Sequence, residues 1–242
     1  METDTVASCR ICGAPLERPS DFPYHSSLSR CSDCRTIQMN FSVKEQDELY
    51  PTFNKKSSPL LSILQFPLKV FNYERLFFMR RGGIGIAKGS GKDLLDVGCG
   101  AGFFLRFISP YFQTRGVEPF SFNQSGLPEM RKKIHYGPVA TLQRPDASLD
   151  VITFWQSLEH IEDPLPVLQK CRRLLKPDGR ILISVPNIRS WQSRIFADRW
   201  AHLTILRHVF QFERSTLHAL LRRADFSPVL TATFTFEYGL SG

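Results

Sequence analysis

Three glycines at alternate positions mark the segment of this sequence best suited to holding a ligand. Gly98, Gly100 and Gly102 follow the short apolar run 94–97. That run is typical of a buried parallel strand, and the apolar residues after the glycines are compatible with a helix. Glycines let a backbone approach a ligand closely, and the first turn of a helix offers unpaired N–H groups. The segment therefore predicts a nucleotide-like ligand, and a tight turn without a ligand is the alternative.

Four of the six cysteines form two Cys-x2-Cys pairs, Cys9/Cys12 and Cys31/Cys34, separated by 18 residues. This spacing is typical of a closed four-thiolate zinc site, in which each pair supplies two sulfurs at tetrahedral angles. Two disulfides are the alternative, but they fit poorly with an N-terminus that lacks the features of a secretory signal. The pattern therefore predicts one structural Zn²⁺ in a segment too short to build its own core.

Further motifs follow the glycine loop in a fixed order. Glu118 stands 22 residues after Asp96 and ends the segment 114–118. A strand-like run, a Leu-Glu-His turn, and a helix end with its turn and strand then follow at residues 148–154, 156–164 and 174–187. This set resembles the motifs of class I S-adenosylmethionine-dependent methyltransferases, here with an N-terminal four-cysteine zinc ribbon. The resemblance covers roughly residues 90–235.

The resemblance implies an α/β fold, a Rossmann-like doubly wound and mostly parallel sheet, with S-adenosylmethionine as cofactor. Gly98, Gly100 and Gly102 would line the methionine part of the cofactor. Asp96 would bind its ammonium group, directly or through water, and Glu118 would accept hydrogen bonds from both ribose hydroxyls. The loop at residues 146–148 would approach the adenine.

A hydroxyl acceptor needs a base to remove its proton. His160 in the Leu-Glu-His turn and His208 are the candidate catalytic residues, and a structural hydrogen bond within the turn is the alternative role of His160. Some quinone O-methyltransferases of the family that this chain resembles bind a divalent cation through acidic residues beside the equivalent histidine. Glu159 matches that pattern, but Gln156 stands where another acid is expected, so the motif for a catalytic metal is incomplete.

The motifs predict three parts of the chain: a zinc ribbon at 1–45, a helical connector or lid at 46–90, and the methyltransferase core at 91–242. The apolar positions of the connector predict one or two amphipathic helices with a break near Pro67. These helices could pack on the sheet and cover the cofactor pocket. Alternatively, they could form a hydrophobic lid that touches a lipidic substrate or a membrane surface.

The C-terminal end departs from the sheet of the family. Residues 229–236 are predicted to form a strand, after which the family has one more, antiparallel strand. Six residues remain after this segment, so the sequence predicts that the last strand is missing. Either the chain is truncated or the sheet ends differently, with an unpaired edge.

Cys99 and Cys171 are predicted to be packing residues.

The net charge of +8 is concentrated in one part of the sequence. Residues 170–223 carry 12 Lys and Arg against three Asp and Glu. Such a region could attract the phosphates of a nucleic acid, a nucleotide-sugar or an anionic membrane, or it could consist of ordinary solvated helix faces. Charges interrupt every apolar window of transmembrane length, so peripheral contact is the one form of membrane association expected. With no secretory signal, the expected location is the cytoplasm.

From these motifs we expect methyl transfer, O-methylation foremost, to a small-molecule, sugar or lipid-linked acceptor. A zinc-ribbon RNA base methyltransferase is one alternative, because the basic region would suit RNA. Nucleic acid is nevertheless the less favoured partner, since an Asn-Pro-Pro-Tyr-like motif is absent from the sequence. A non-catalytic S-adenosylmethionine-binding protein is the other alternative. The intact glycines of the loop and the acidic residues Asp96 and Glu118 argue against it.

Overall fold

The computed structural model describes residues 8–19, 28–39, 65–119, 127–204 and 208–233. Contacts divide the chain into two compact units. The ribbon unit comprises Met1–Pro51, Phe154–Arg172 and Ile183–Pro228. The sheet unit comprises Thr52–Thr153, Arg173–Leu182 and Val229–Gly242. The ribbon unit thus combines the N-terminal segment with two segments from the second half of the sequence, whereas the boundaries 1–45, 46–90 and 91–242 stay a prediction.

A five-stranded sheet carries the glycine loop. Its strands are β4 Asp93–Val97, β5 Gln113–Glu118, β6 Ile134–Tyr136, β7 Leu149–Trp155 and β8 Leu175–Ser184. They have the order β6-β5-β4-β7-β8, and β4 pairs with β5, and β5 with β6, in parallel. The apolar residues of β4 and β7 are buried, as parallel strands covered on both faces require. This sheet confirms the predicted Rossmann-like α/β fold.

Six α-helices lie in the described part of the chain. They are α1 Gln65–Arg81, α2 Phe103–Ile108, α3 Pro164–Leu174, α4 Trp191–Phe196, α5 Ala201–Thr204 and α6 Arg214–Arg223. Short 3₁₀ turns occur at Arg131–Lys133, Val139–Thr141, Leu158–His160 and Ala197–Arg199. None of the described helices is long and apolar enough to cross a membrane.

Helix α1 contains Pro67, the residue near which the sequence predicts a break, and the part of the connector before Gln65 lies outside the described residues. Pro67 lies in the first turn of this helix, where a missing N–H donor disturbs no intrahelical hydrogen bond. The helix ends where Gly83, with φ of 79°, takes the left-handed conformation. The N–H of Ile84 then donates to the carbonyl of Met79 at 3.0 Å, and both of these side chains are buried. Together with the hydrogen bond from the N–H of Gly83 to the carbonyl of Arg80 at 3.0 Å, this forms the Schellman ending that glycine favours.

A second sheet belongs to the ribbon unit. Its order is β1-β2-β3-β9, with β1 Leu16–Glu17, β2 Leu28–Cys31, β3 Ile37–Met39 and β9 Phe210–Gln211. All three pairings are antiparallel. The fourth strand comes from a segment about 170 residues further along the chain, so the ribbon does not form its sheet from the N-terminal segment alone.

The predicted C-terminal strand is wrong where it can be compared. Residues 229–233 have no strand conformation, and Val229 and Leu230 are exposed. The remaining residues of that predicted strand lie outside the described part. An apolar run alone does not make a strand, because a strand also needs a neighbour that takes its backbone hydrogen bonds.

Candidate functional site

The glycine loop joins β4 to α2 with a backbone that glycine alone adopts easily. Gly98, Gly100 and Gly102 have φ of 75°, 53° and 83°, all in the left-handed region that a Cβ disfavours. The N–H of Gly98 donates to the carbonyl of Val117 at 2.8 Å, which fixes the start of the loop against β5. The predicted strand, glycine turn and helix are therefore present, and the backbone conformation of the loop itself favours glycine at these three positions.

Glu118 ends β5 beside this loop and is buried. Its Oε2 accepts a hydrogen bond from the N–H of Gly100 at 2.8 Å. A carboxylate bound to a backbone N–H is held in one orientation. Glu118 thus fixes the middle of the glycine loop, a role that sequence reasoning did not assign to it. The structure brings it together with the loop at the place where the predicted cofactor would bind.

Asp96 is a buried carboxylate on β4. Its Oδ1 accepts a hydrogen bond from the hydroxyl of Thr153 on β7 at 2.7 Å. Burial raises the pKa of Asp96 to about 7, an effect that the hydrogen bond from Thr153 and the charge of Arg75 partly oppose. A carboxylate with this pKa is poised to bind a cation, because a positively charged ligand would stabilise the ionised form.

Cofactor affinity is expected to increase as the pH rises toward 7, because an ammonium group at Asp96 requires the ionised carboxylate. With the pKa of Asp96 at about 7, the dissociation constant should fall roughly tenfold between about pH 5.5 and pH 7, where an amino group stays charged. Calorimetry with the demethylated cofactor product measures this dependence, and Asp96→Asn should bind more weakly and lose it. An affinity independent of pH in the unsubstituted protein would exclude Asp96 as the ammonium partner.

The raised pKa of Asp96 makes the protein without cofactor less stable as the pH rises, whereas it makes cofactor binding tighter. The folded chain binds the proton of Asp96 more tightly than the unfolded chain, in which the pKa is near 3.8. Between these two pKa values the folded state holds more protons, so the contribution of Asp96 to the free energy of unfolding decreases as the pH rises. A bound ammonium group would offset this loss.

Gly116 is a residue of the site that sequence reasoning missed. It lies on β5 opposite Asp96 of β4. A Cβ at this position would collide with the sulfur of Cys99 in the loop and with Leu105 of α2. The absent side chain lets the loop and helix pack directly on the strand. A glycine within a strand is the signal that could have indicated this close approach.

The two predicted catalytic histidines lie together in the ribbon unit. The ring centroids of His160 and His208 are 4.6 Å apart. His202 stacks on His208 with centroids 5.4 Å apart, although the sequence did not indicate a role for it. Burial, together with the charges of His160 and His202, lowers the pKa of His208 to about 3. His208 is therefore neutral at pH 7.

The hydrogen bonding of His208 defines which nitrogen carries its proton. Nδ1 lies 2.9 Å from the carbonyl oxygen of His202, and a carbonyl can only accept, so Nδ1 is the donor. In the neutral ring, Nε2 then has the lone pair. Nε2 lies 3.9 Å from Oε1 of Glu159, and both side chains are buried. This nitrogen can accept a proton or coordinate a cation.

Glu159, His160 and His208 together form a possible ligand set for a metal ion. One ligand atom from each lies within 4.8 Å of the others. Gln156, the residue that departs from the acidic pattern, instead directs its side-chain amide to Ser184 Oγ at 3.0 Å. His208 thus stands where it could supply a third ligand from a different part of the sequence.

The four ribbon cysteines also converge. Cys9 Sγ lies 3.6 Å from Cys34 Sγ, and Cys12 Sγ lies 3.3 Å from Cys31 Sγ. Tetrahedral zinc with Zn–S bonds of about 2.3 Å separates its sulfurs by about 3.8 Å, whereas a disulfide needs about 2.05 Å. The N–H of Cys34 points at Cys31 Sγ at 3.3 Å, as suits a thiolate. The donor set and its geometry fit a four-thiolate zinc site and do not form the alternative disulfides.

One tightly bound zinc per chain is therefore expected in the purified protein, and Cys31→Ser should remove it. Each thiolate is one of four required ligands, and binding is linked to folding of the segment. Elemental analysis measures the metal, and Cys171→Ser, at a buried cysteine outside the cluster, is the control that should retain it. Protein without metal, or with a Cys9–Cys34 disulfide in reducing cells, would contradict this expectation.

Comparison with known proteins gives the class to which this fold and loop belong. Residues 73–231 match the family described as Methyltransferase domain. The match covers more than half of the sequence, and the chain belongs to this family.

Several curated proteins are similar to part of the chain. A ubiquinone biosynthesis O-methyltransferase from Idiomarina loihiensis is 34% identical over 142 residues, which cover 54% of this chain and 57% of that protein. A probable S-adenosylmethionine-dependent methyltransferase from Mycolicibacterium smegmatis is 33% identical over 103 residues, covering 40% of this chain and 39% of that protein. The chain thus matches about half the length of these relatives.

Solved structures support the fold. The YcgJ protein from Bacillus subtilis superposes with a TM-score of 0.50 at 22% identity, covering 66% of this chain and 68% of that one. An S-adenosylmethionine-dependent methyltransferase from Archaeoglobus fulgidus gives a TM-score of 0.50 at 23% identity, covering 66% and 69%.

Proposed function

We propose that this chain transfers a methyl group from S-adenosylmethionine to a hydroxyl of a small-molecule or lipid-linked acceptor. The observation that carries this proposal is the glycine loop of a methyltransferase-family chain, which follows the buried Asp96 of β4 and is hydrogen-bonded to the buried Glu118 of β5. The curated relatives that are named ubiquinone biosynthesis O-methyltransferase favour oxygen as the methylated atom.

When bound, the cofactor supplies a methyl group activated by a sulfonium. Residues of the sheet unit would hold and orient that molecule. Asp96, once ionised, would bind the ammonium group, and Glu118 would accept hydrogen bonds from the ribose hydroxyls while it keeps Gly100 in place. Gly98, Gly100 and Gly102 would line the methionine part. Holding donor and acceptor in line, away from water, contributes much of the rate of such transfers.

His208 is the favoured proton acceptor for the incoming hydroxyl. Its neutral ring has the lone pair on Nε2, since Nδ1 donates to the His202 carbonyl. After proton transfer, the imidazolium would face the carboxylate of Glu159, 3.9 Å away. A negative charge on that side chain would favour the protonated ring. His160 stacks edge-on against His208 and is the second candidate.

The alternative explanation for deprotonation of the acceptor hydroxyl is a divalent cation bound by Glu159, His160 and His208. The pKa of His208, lowered to about 3, suits a metal ligand, because no proton has to be displaced. A cation held there would lower the pKa of a hydroxyl bound to it, so that the proton could pass to water without a side-chain base. Transfer that a chelator abolishes and Mg²⁺ or Mn²⁺ restores, with ribbon zinc unchanged by elemental analysis, would favour this account over the base.

Label from methyl-labelled cofactor is expected in a small-molecule or lipid fraction when the protein is incubated with total cellular extract. The motif set is similar to small-molecule methyltransferases, and the zinc segment has few basic residues to hold phosphates. Ribonuclease treatment of a parallel sample is the control. Label that is found in ribosomal or transfer RNA and disappears with ribonuclease would replace this proposal by RNA methylation.

A further inference from the structure

The ribbon sheet continues directly into the segment that carries His208. Strand β9 begins two residues after His208 and pairs with β3 of the ribbon, with Ile37 opposite Gln211. The N–H of Met39 donates to the carbonyl of Val209 at 2.9 Å. The backbone position of His208 is therefore defined by hydrogen bonds to a strand that begins three residues after Cys34.

Gln211 connects this strand to the histidine cluster through its side chain. It is buried, with 1% of its surface exposed. Its amide nitrogen donates to the carbonyl oxygen of His202 at 3.1 Å, the same oxygen that accepts from Nδ1 of His208 at 2.9 Å. One carbonyl thus takes a hydrogen bond from the ribbon sheet and another from the candidate base.

In the described part of the chain, the buried apolar side chains of the ribbon strands pack together with side chains from later segments. A single cluster of buried side chains joins strands β2 and β3 to the segments around helices α4 and α5: Leu28, Ile37, Met39, Ile188, Trp200 and Leu203. Leu203 is the neighbour of His202 in sequence. Displacement of the ribbon strands would therefore disturb the packing behind the histidine cluster as well as its hydrogen bonds.

A buried charge makes a third connection. Arg30 of β2 is 5% exposed, and its Nη1 lies 3.6 Å from Oε1 of Glu213. Glu213 also accepts from Arg189 at 2.7 Å and caps the N-terminus of α6. These contacts tie the ribbon to the chain on the C-terminal side of β9.

We propose that the metal-filled cysteine site positions His208, so that the protein without zinc binds cofactor but transfers its methyl group more slowly. This proposal rests on the methyl transfer and zinc binding proposed above. Zinc would clamp the Cys9/Cys12 turn to the Cys31/Cys34 turn and thereby hold the β2–β3 hairpin. Without the clamp, β9 loses its partner strand and His208 loses the shared carbonyl. Gln211 is then a positioning residue that acts through His202 and His208.

A comparison of zinc-loaded protein with protein that a chelator has stripped of zinc distinguishes a positioning role of the metal at His208 from a general role in folding. On stripping, hydrogen exchange of residues 208–212 should accelerate by at least about tenfold, and kcat should fall to a similar extent. Exchange of residues 93–97 and cofactor affinity by calorimetry should stay unchanged. Unchanged exchange at 208–212 would overturn the proposal. Loss of cofactor binding would also overturn it, because zinc would then support the whole fold.

A pair of matched variants tests the same link with zinc in place. Gln211→Met keeps the length of the side chain and removes the donor to His202, so kcat should fall while zinc content and cofactor affinity are retained. Gln169→Met changes the same residue type at an exposed position on α3, outside the ribbon sheet. With saturating zinc this control should keep its kcat. Equal losses in both variants would overturn the positioning role.

The exchange measurement needs no methyl acceptor. If no methyl transfer is found, accelerated exchange at 208–212 still supports the coupling between ribbon and histidines, and the failure belongs to the proposed reaction. A purified chain that binds no zinc would overturn the positioning proposal and leave the reaction intact.

Discussion

Replacement of His208 by alanine is expected to slow methyl transfer by about 10²- to 10⁴-fold, the range typical of a lost general base. The ring is buried and neutral, and its lone pair is on Nε2 because Nδ1 donates to a carbonyl. Nε2 also faces the carboxylate that would stabilise the protonated ring. Affinity for S-adenosylmethionine should be unchanged, since the proposed cofactor contacts are made by other residues. Single-turnover rates with saturating cofactor measure the effect.

His160→Ala and His218→Ala complete this series. His160 shares the cluster, so its removal separates the two candidate bases. His218 lies on α6 and is the control that should retain the full rate. If neither His160→Ala nor His208→Ala is slow, the acceptor needs no side-chain base, and proximity alone accounts for the transfer.

The second large effect is expected on the affinity for the cofactor. Glu118→Ala should weaken binding of S-adenosylmethionine by about ten- to a hundredfold, because charge-assisted hydrogen bonds contribute roughly 1.5–3 kcal/mol. Two causes act together in this variant. The ribose hydroxyls lose their acceptor, and Gly100 loses the carboxylate oxygen that receives its N–H. Calorimetry with the cofactor and with its demethylated product measures the loss.

Two further variants separate these causes. Glu118→Gln keeps an oxygen that can accept from Gly100, so it should bind more tightly than Glu118→Ala if the loop contributes. Glu129→Ala removes an exposed carboxylate that pairs with Arg106 at the surface, at 3.5 Å, and should leave affinity unchanged. Full affinity in Glu118→Ala would show that Glu118 does not bind the ribose.

Much of the fold could be predicted because local patterns determine it. An apolar strand, alternate glycines and a helix are consecutive in sequence, and Glu118 ends the next strand as expected. The fourth strand of the ribbon sheet could not be predicted, since Phe210–Gln211 is two residues long and its partner lies about 170 residues away. Such pairing depends on tertiary packing and leaves no periodic signal.

The ionisable residues of the candidate site could be proposed from the sequence, but the groups that hydrogen-bond to them or pack beside them could not. Asp96 and Glu118 follow from motif order, but the hydroxyl of Thr153 that binds Asp96 is on a strand 57 residues further on. His160 and His208 were both candidates, yet their contact and the nearby His202 emerge only when distant segments pack together. Sequence spacing indicates which groups can react, whereas their protonation depends on burial that only the fold provides.

The close packing of Gly116 against Cys99 has a consequence for thiol chemistry. Burial raises the pKa of Cys99 and raises that of Cys171 to about 12, so both thiols are protonated and shielded at neutral pH and react slowly. Cys12 and Cys34 of the ribbon are only half-buried. An alkylating reagent should therefore modify the ribbon cysteines of molecules that have lost their metal and spare Cys99 in the glycine loop. The number of modified cysteines per chain, measured by intact mass, then reports the fraction of molecules in a preparation without metal.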